Sequence, residues 1–338
     1  MHAGKVAVLG AGAWGTALAK VLAEKGDEVV VWARNPDVVT QVNAKNENER
    51  YLPGAKLPES LWATLDLKEA LDGSTMILFV APSHATREVA KLAAPFIPHD
   101  VPIVSATKGI ENESLEFMDE VLHNELPKHA QHHLSFLSGP SFAKELSNHT
   151  PTGVVIASKS SATCEVVMRR FHRPYLRTYA SDDVIGVECG GAMKNVVAIA
   201  AGACDGLGFG HNTRAMLITR GLAEIARLSV ARGGQPLTLA GLAGMGDLVL
   251  TCTGELSRNR TVGVELGKGK RLAEILASLG HVAEGVKTAK SAHDLAKKLG
   301  VDMPITSEIY RVIYEDKPIE RAVTDLMGRE LVPEFTGV

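Results

Sequence analysis

The pattern of apolar and polar positions changes character part-way along the chain. As far as residue 183, short continuous apolar runs alternate with helical stretches, the mark of buried strands joined by crossover helices. Strands are predicted at residues 5–9, 28–33, 75–80, 101–106, 133–137 and 153–157, with an edge strand at 175–180. Helices are predicted at 16–25, 66–71 and 162–171. Beyond Ser181-Asp-Asp183 nearly everything reads as helix: 186–203, 212–232, 237–242, 247–251, 262–268, 271–279, 286–299, 306–314 and 318–327. A chain of 338 residues also exceeds what one hydrophobic core serves. The expected architecture is a parallel, doubly wound α/β domain at residues 1–183, followed by an all-α helical domain at residues 184–338. In such a sheet, ligands bind beyond the carboxyl ends of the strands.

The helix that opens the second domain is unusual. Between Ala192 and Gly202 only Lys194 and Asn195 are polar, so no polar stripe exists at helical spacing and the helix is predicted to be buried on nearly all sides. Stripping an ammonium group of water is costly unless partners replace the water, so a lysine here is either half of a structural ion pair or part of a working site. Glu188 shares a face with Asn195, seven residues on, and is the candidate partner within the helix. Gly190 and Gly191, four and three residues before Lys194, would leave room for a ligand to approach the amine.

One glycine motif gives the first domain its chemistry. Gly10-Ala-Gly12-Ala-Trp-Gly15 follows the first strand and opens a helix, and the next strand begins at residue 28. In this Rossmann-type context Gly10 permits the tight turn, Gly12 lets the backbone approach a pyrophosphate, and Gly15 lets helix and strand pack closely. The residue that should read the adenosine ribose, at the end of the second strand, is Arg34 rather than an acid. An arginine pairs with a 2′-phosphate, which favours NADPH, or merely covers the adenine and leaves NADH equally good.

Other candidates lie at strand ends and in loops. Lys108 and Ser141 each follow a predicted strand, where a solvated lysine and a helix-capping serine are equally good readings. His84 is expected to be a loop residue rather than a base. Asp247 and Thr251 share a helical face, although Asp247 is also a fair N-cap. Ser257-Arg-Asn259 offers a hydroxyl, a guanidinium and an amide, the donors a phosphate needs, or is an exposed basic turn.

Composition narrows the function classes. A formal net charge of −3 supplies no general attraction for nucleic acid or anionic membrane, so any phosphate binding must be local. No apolar run approaches the ~20 residues that span a bilayer, and the first residues lack the pattern of a signal peptide. Cys164, Cys189, Cys204 and Cys252 are scattered, which predicts reduced, mostly buried thiols in a cytoplasmic protein. His129, His132 and His133 have no accompanying cysteine or carboxylate and are expected to form a solvated connection, with no metal site.

The motifs taken together resemble the bacterial NAD(P)-dependent glycerol-3-phosphate dehydrogenases. The resemblance is carried by the motif from Gly10, Ala-Thr-Lys-Gly from Ala106, Leu-Ser-Gly-Pro-Ser-Phe-Ala from Leu137, and Lys194-Asn195. Gly-Leu-Gly-Phe-Gly-His-Asn-Thr-Arg from Gly206, Gly-Met-Gly-Asp from Gly244, Ser-Arg-Asn-Arg from Ser257 and Val-Ala-Glu-Gly from Val282 complete it. They run in order over essentially the full length. The resemblance implies a cytoplasmic enzyme, a homodimer, that interconverts dihydroxyacetone phosphate and sn-glycerol 3-phosphate with NAD(P)H and supplies phospholipid synthesis. It implies that Lys194 donates and accepts the proton at the substrate C2 oxygen, with Lys108 and Asn195 assisting and Asp247 orienting Lys194 or a substrate hydroxyl. Gly139, Ser141, Ser257, Arg258 and Asn259 would bind the substrate. Ala13, Trp14, Arg34, Lys108, Ala143, Arg258, Val282 and Glu284 would line the dinucleotide site with Gly10, Gly12 and Gly15.

Overall fold

A computed structural model describes residues 4–279 and 283–334. The chain forms two compact units, one of Met1–Lys108 with Met118–Val184 and one of Gly109–Phe117 with Ile185–Val338.

The first unit is built on eight strands: β1 (Lys5–Leu9), β2 (Glu28–Trp32), β3 (Leu61–Thr64), β4 (Met76–Phe79), β5 (Ile103–Ser105), β6 (Leu134–Ser138), β7 (Thr152–Ala157) and β8 (Leu176–Ser181). Their order in the sheet is β3-β2-β1-β4-β5-β6-β7-β8, so β1 and β4 lie side by side with crossovers running to either side. This is the doubly wound arrangement, in which the strand order reverses beside β1. Val6, Val8, Val29, Leu78 and Val104 are fully buried, as strands covered on both faces require. The expected all-parallel sheet needs correction at one seam: β6 and β7 pair antiparallel, and β7 and β8 are parallel to each other. Between β6 and β7 the chain makes only the five-residue helix Ala143–Ser147. So short a link favours a reversal over a full crossover. The predicted edge strand is present as β8. β3 is not among the predicted strands because four residues offer too little periodicity, and helices Pro36–Lys45, Ser83–Ala93 and Met118–Glu125 add to the predicted ones.

The second unit packs around the helix Val184–Gly206, whose Met193, Val196, Val197 and Ile199 are fully buried. Ile110 and Phe117 belong to this core, Ser291 Oγ donates to the carbonyl of Ile110 at 3.3 Å, and the Arg232 guanidinium lies 5.3 Å from the Phe117 ring centre. A single boundary at residue 183 therefore omits the excursion of residues 109–117.

By length and mean hydropathy, Val184–Gly206 and Pro236–Thr253 would be able to cross a membrane. Neither is a continuous apolar run, because Glu188, Lys194 and Asn195 interrupt the first and glycines the second. For Val184–Gly206, 94% of the window is buried within the protein, which makes it a core helix. In Pro236–Thr253, 39% is buried, and the stretch contains a π-helical segment at Leu242–Gly246.

Candidate active site

In the first unit the glycine loop leaves β1 and leads into the helix Ala13–Ala23. Gly10 has φ +134°, and a Cβ there would lie 2.8 Å from the carbonyl carbon and oxygen of Val80. A Cβ on Gly15 would lie 2.0 Å from the Gly10 carbonyl oxygen, so the helix Ala13–Ala23 packs directly on the turn. A Cβ on Gly12 would meet nothing within 4 Å, and no side chain caps this helix. The loop thus presents open space at a helix N-terminus, which is the cradle a dinucleotide pyrophosphate fits. Buried Asn48 supports the loop: its Nδ2 donates to the carbonyl of Ala11 at 2.9 Å and to Thr16 Oγ1 at 2.8 Å. Arg34 is exposed just after β2, with its guanidinium 3.9 Å from Glu88. Further along the sheet, beyond β5 and β6, Lys108 Nζ and Ser141 Oγ both donate to the carbonyl of Gly139, at 3.0 and 2.8 Å. Gly139 has φ +136°. Lys108 and Ser141 therefore share one backbone acceptor, and Ser141 is not the cap of the helix Ala143–Ser147.

In the second unit, Lys194 is 8% exposed on the buried helix Val184–Gly206. Its Nζ donates to Asp247 Oδ1 at 2.7 Å and to Thr251 Oγ1 at 3.0 Å. Asp247 and Thr251, four residues apart, present these oxygens from one face of the helix Asp247–Thr253. Thr251 Oγ1 in turn donates to the Asp247 carbonyl at 2.6 Å, which holds the hydroxyl in place. Charge-assisted bonds to a buried ammonium replace much of the water it has lost. The carboxylate partner is thus Asp247, on another element, and not Glu188, the candidate within the helix. Asn195, next in sequence, accepts from Asn259 Nδ2 at 2.9 Å, and Asn259 Oδ1 accepts from the Gly285 N–H at 3.0 Å. Ser257 Oγ accepts from the Arg260 N–H at 3.2 Å and caps the helix Arg258–Gly267, leaving Arg258 exposed.

Lys194, Asp247, Asn195 and the turn Ser257–Asn259 are thereby brought together by three helices of one unit. The N-terminal model of the NAD-dependent glycerol-3-phosphate dehydrogenases matches residues 5–164, and the C-terminal model of the same enzymes matches residues 183–324. The chain belongs to the NAD-dependent glycerol-3-phosphate dehydrogenase family. It is 53% identical over 330 residues to the glycerol-3-phosphate dehydrogenase (NAD(P)+) of Geobacter sp. (strain M21), with 98% of each chain covered. The enzyme of the same name from Myxococcus xanthus is 54% identical over 331 residues, covering 98% of this chain and 99% of its own. The crystal structure of glycerol-3-phosphate dehydrogenase from Coxiella burnetii superposes with a TM-score of 0.93 at 43% identity, covering 97% of this chain and 99% of that one.

Several sequence expectations change in this glycerol-3-phosphate dehydrogenase family member. Gly190 is not an approach route, because a Cβ there would lie 2.4 Å from the Ala243 carbonyl oxygen: the π-helical segment fills the space. Asp247 is the first residue of its helix rather than the N-cap, which is Gly246. His84 lies in the first turn of the helix Ser83–Ala93, not in a loop. All four cysteines are buried free thiols, as expected, and burial pushes Cys252, beside Thr251, up to about 12. Among the described residues no cluster of metal-ligating side chains occurs. Ala13, Trp14 and Ala143 lie in partly buried positions near the starts of their helices, and Glu284 opens the helix Glu284–Leu299. Val282 lies outside the described residues.

Asn48 went unnoticed in the sequence, since nothing in its neighbourhood distinguishes it from the loop asparagines around it. Thr251 was detectable only by its spacing from Asp247.

Proposed function

We propose that this chain interconverts dihydroxyacetone phosphate and sn-glycerol 3-phosphate, with Lys194 as the proton donor and acceptor at the substrate C2 oxygen. The observation that carries the reading is a buried lysine held by a carboxylate and a hydroxyl, in a chain of this family. A nicotinamide dinucleotide supplies the hydride when bound. As C2 is reduced, the carbonyl electron pair collects on oxygen, where the Lys194 ammonium stabilises the charge and delivers a proton. In the oxidative direction the neutral amine takes the hydroxyl proton. Asp247 and Thr251 orient the amine, and Lys108 and Asn195 assist at the reacting carbon.

The reading gives the substrate phosphate and hydroxyls to Gly139, Ser141, Ser257, Arg258 and Asn259. The dinucleotide falls to Gly10, Gly12, Ala13, Trp14, Gly15, Arg34, Lys108, Ala143, Arg258, Val282 and Glu284. The open space at Gly12 supports a pyrophosphate there, and exposed Arg34 supports a preference for NADPH. The enzyme works in the cytoplasm as a homodimer and supplies glycerol 3-phosphate for phospholipid synthesis.

The test is substrate-dependent oxidation of NADPH with dihydroxyacetone phosphate, run beside NADH and beside ketopantoate. Rapid turnover of dihydroxyacetone phosphate and none of ketopantoate is expected. Turnover of ketopantoate alone, or oxidation with neither ketone, overturns the reading, and a strong preference for NADH overturns the role given to Arg34.

A further inference from the structure

The helix Val184–Gly206, which carries Lys194, and the helix Arg258–Gly267, which begins at the Ser257–Asn259 turn, touch backbone to backbone. A Cβ on Gly202 would lie 2.0 Å from the Arg260 carbonyl oxygen, and one on Gly206 would lie 2.2 Å from that of Val264. From the other side, a Cβ on Gly263 would lie 2.0 Å from the Ile199 carbonyl oxygen, and one on Gly267 would lie 2.3 Å from that of Ala203. Such a contact sets how far apart the helices lie, but a row of glycines presents no knobs to stop one helix from sliding along the other. Side chains must set the register.

Two polar ties are available. One is the bond of Asn259 to Asn195, already described. The other is Asp205, whose side chain is 10% exposed near the end of the lysine-bearing helix. Its Oδ2 accepts from Arg260 Nε at 2.9 Å and from the second Arg260 nitrogen at 2.7 Å. Its Oδ1 accepts from Arg214 Nε at 3.0 Å and from Arg214 Nη2. Two forked guanidinium pairs on one sheltered carboxylate leave that carboxylate little freedom. Arg260 is held at its other end too, since its N–H is the one that Ser257 Oγ accepts.

We infer that Asp205 is a positioning residue for the substrate phosphate: through Arg260 it fixes the Ser257–Asn259 turn in register with the helix of Lys194. This rests on the proposed role of that turn. Asp205 touches neither the reacting carbon nor the proton donor, so its loss acts on substrate capture more than on the chemical step.

The experiment is steady-state kinetics of the full chain carrying Asp205→Asn, with Arg260→Lys as a milder break in the same tie and Arg258→Ala as the reference. Asp205→Asn should raise the KM for dihydroxyacetone phosphate about ten-fold. It should leave kcat within about three-fold and the KM for NADPH unchanged. Arg260→Lys should move the same constant in the same direction, and it carries the test if Asp205→Asn does not fold. In the double variant Asp205→Asn/Arg258→Ala, the two effects on KM should fall short of additive, because both act through one turn. Loss of kcat and of both affinities together, or an unchanged KM for dihydroxyacetone phosphate, overturns the inference. If Arg258→Ala leaves that KM unchanged, the role of the turn itself is wrong. A raised KM in Arg258→Ala without one in Asp205→Asn sinks the positioning role alone.

Discussion

Lys194, Asp247 and Thr251 form a unit in which each group answers a need of the others. The ammonium has lost water and takes two oxygens in exchange, and the carboxylate is only 1% exposed and has a cation to face. Lys194→Ala should lower turnover of dihydroxyacetone phosphate about a thousand-fold or more, since it removes both the proton and the charge that meets the developing oxyanion. NADPH binding, read by fluorescence titration, should stay near normal. Asp247→Asn keeps the shape but sets a neutral amide beside the buried ammonium. Its kcat should fall about a hundred-fold. Wild-type rates in Lys194→Ala would remove Lys194 from the chemistry, and wild-type rates in Asp247→Asn would remove the orienting role of Asp247. That this lysine must be half of an ion pair or part of a working site is readable from the sequence, because a cation in an apolar helix needs an explanation. Its partner is not, because Asp247 is 53 residues away in the chain. Within the helix, Glu188 was the natural guess.

Glycines with similar places in sequence motifs have opposite roles in the elements they join. Gly10 and Gly15 are structural, pressed against backbone, whereas Gly12 faces open space. Gly10→Ala should therefore lower the melting temperature, by strain at a positive φ and by a clash with Val80. Gly12→Ala should leave the melting temperature within about 2 °C while weakening NADPH binding about ten-fold or more, as calorimetry would show. Equal stability losses in the two variants would contradict the assignment of Gly12 to the ligand. The glycine signature was legible because its spacing is tied to a strand and a helix. The contact of Gly190 with Ala243 was not, since the π-helical segment that fills the space has no periodicity of its own to read. The same holds for β3, too short for its pattern to register, and for the antiparallel seam between β6 and β7, which depends on the length of a connection.

At the scale of the whole molecule, the titration of the buried acid Glu224 bears on stability. Glu224, on the helix His211–Ala231, is 1% exposed and accepts from the N–H groups of Ile305 and Thr306, at 2.6 and 3.1 Å, and from Thr306 Oγ1 at 3.1 Å. Burial raises its pKa from 4.5 to about 7, against the pull of those three donors and of Arg227. Between these two values the folded protein keeps a proton that the unfolded chain has released, so unfolding free energy falls as pH rises from about 4.5 to about 7 and then levels. The full effect is on the order of 3 kcal/mol. Denaturant titrations at pH 5 and pH 7.5 should show the wild type losing ground relative to Glu224→Gln, which has no such proton. A gap independent of pH would contradict the raised value. The burial of the cysteines is legible in the sequence, but Glu224 as a carboxylate that ties two helices is not, because its donors lie 81 and 82 residues away.

Strand and helix periods, the glycine motif and the anomalous lysine are local patterns, set by hydrogen-bond geometry and burial within some 30 residues, so the chain declares them by itself. The family it belongs to is legible for the same reason, through motifs in a fixed order. Lys194, Asn195 and Asp205 bond to Asp247, Asn259 and Arg260, which lie 53, 64 and 55 residues away, respectively. The excursion of residues 109–117 into the second core is equally non-local. Such pairings are settled by which surfaces pack together, and no local periodicity encodes that choice.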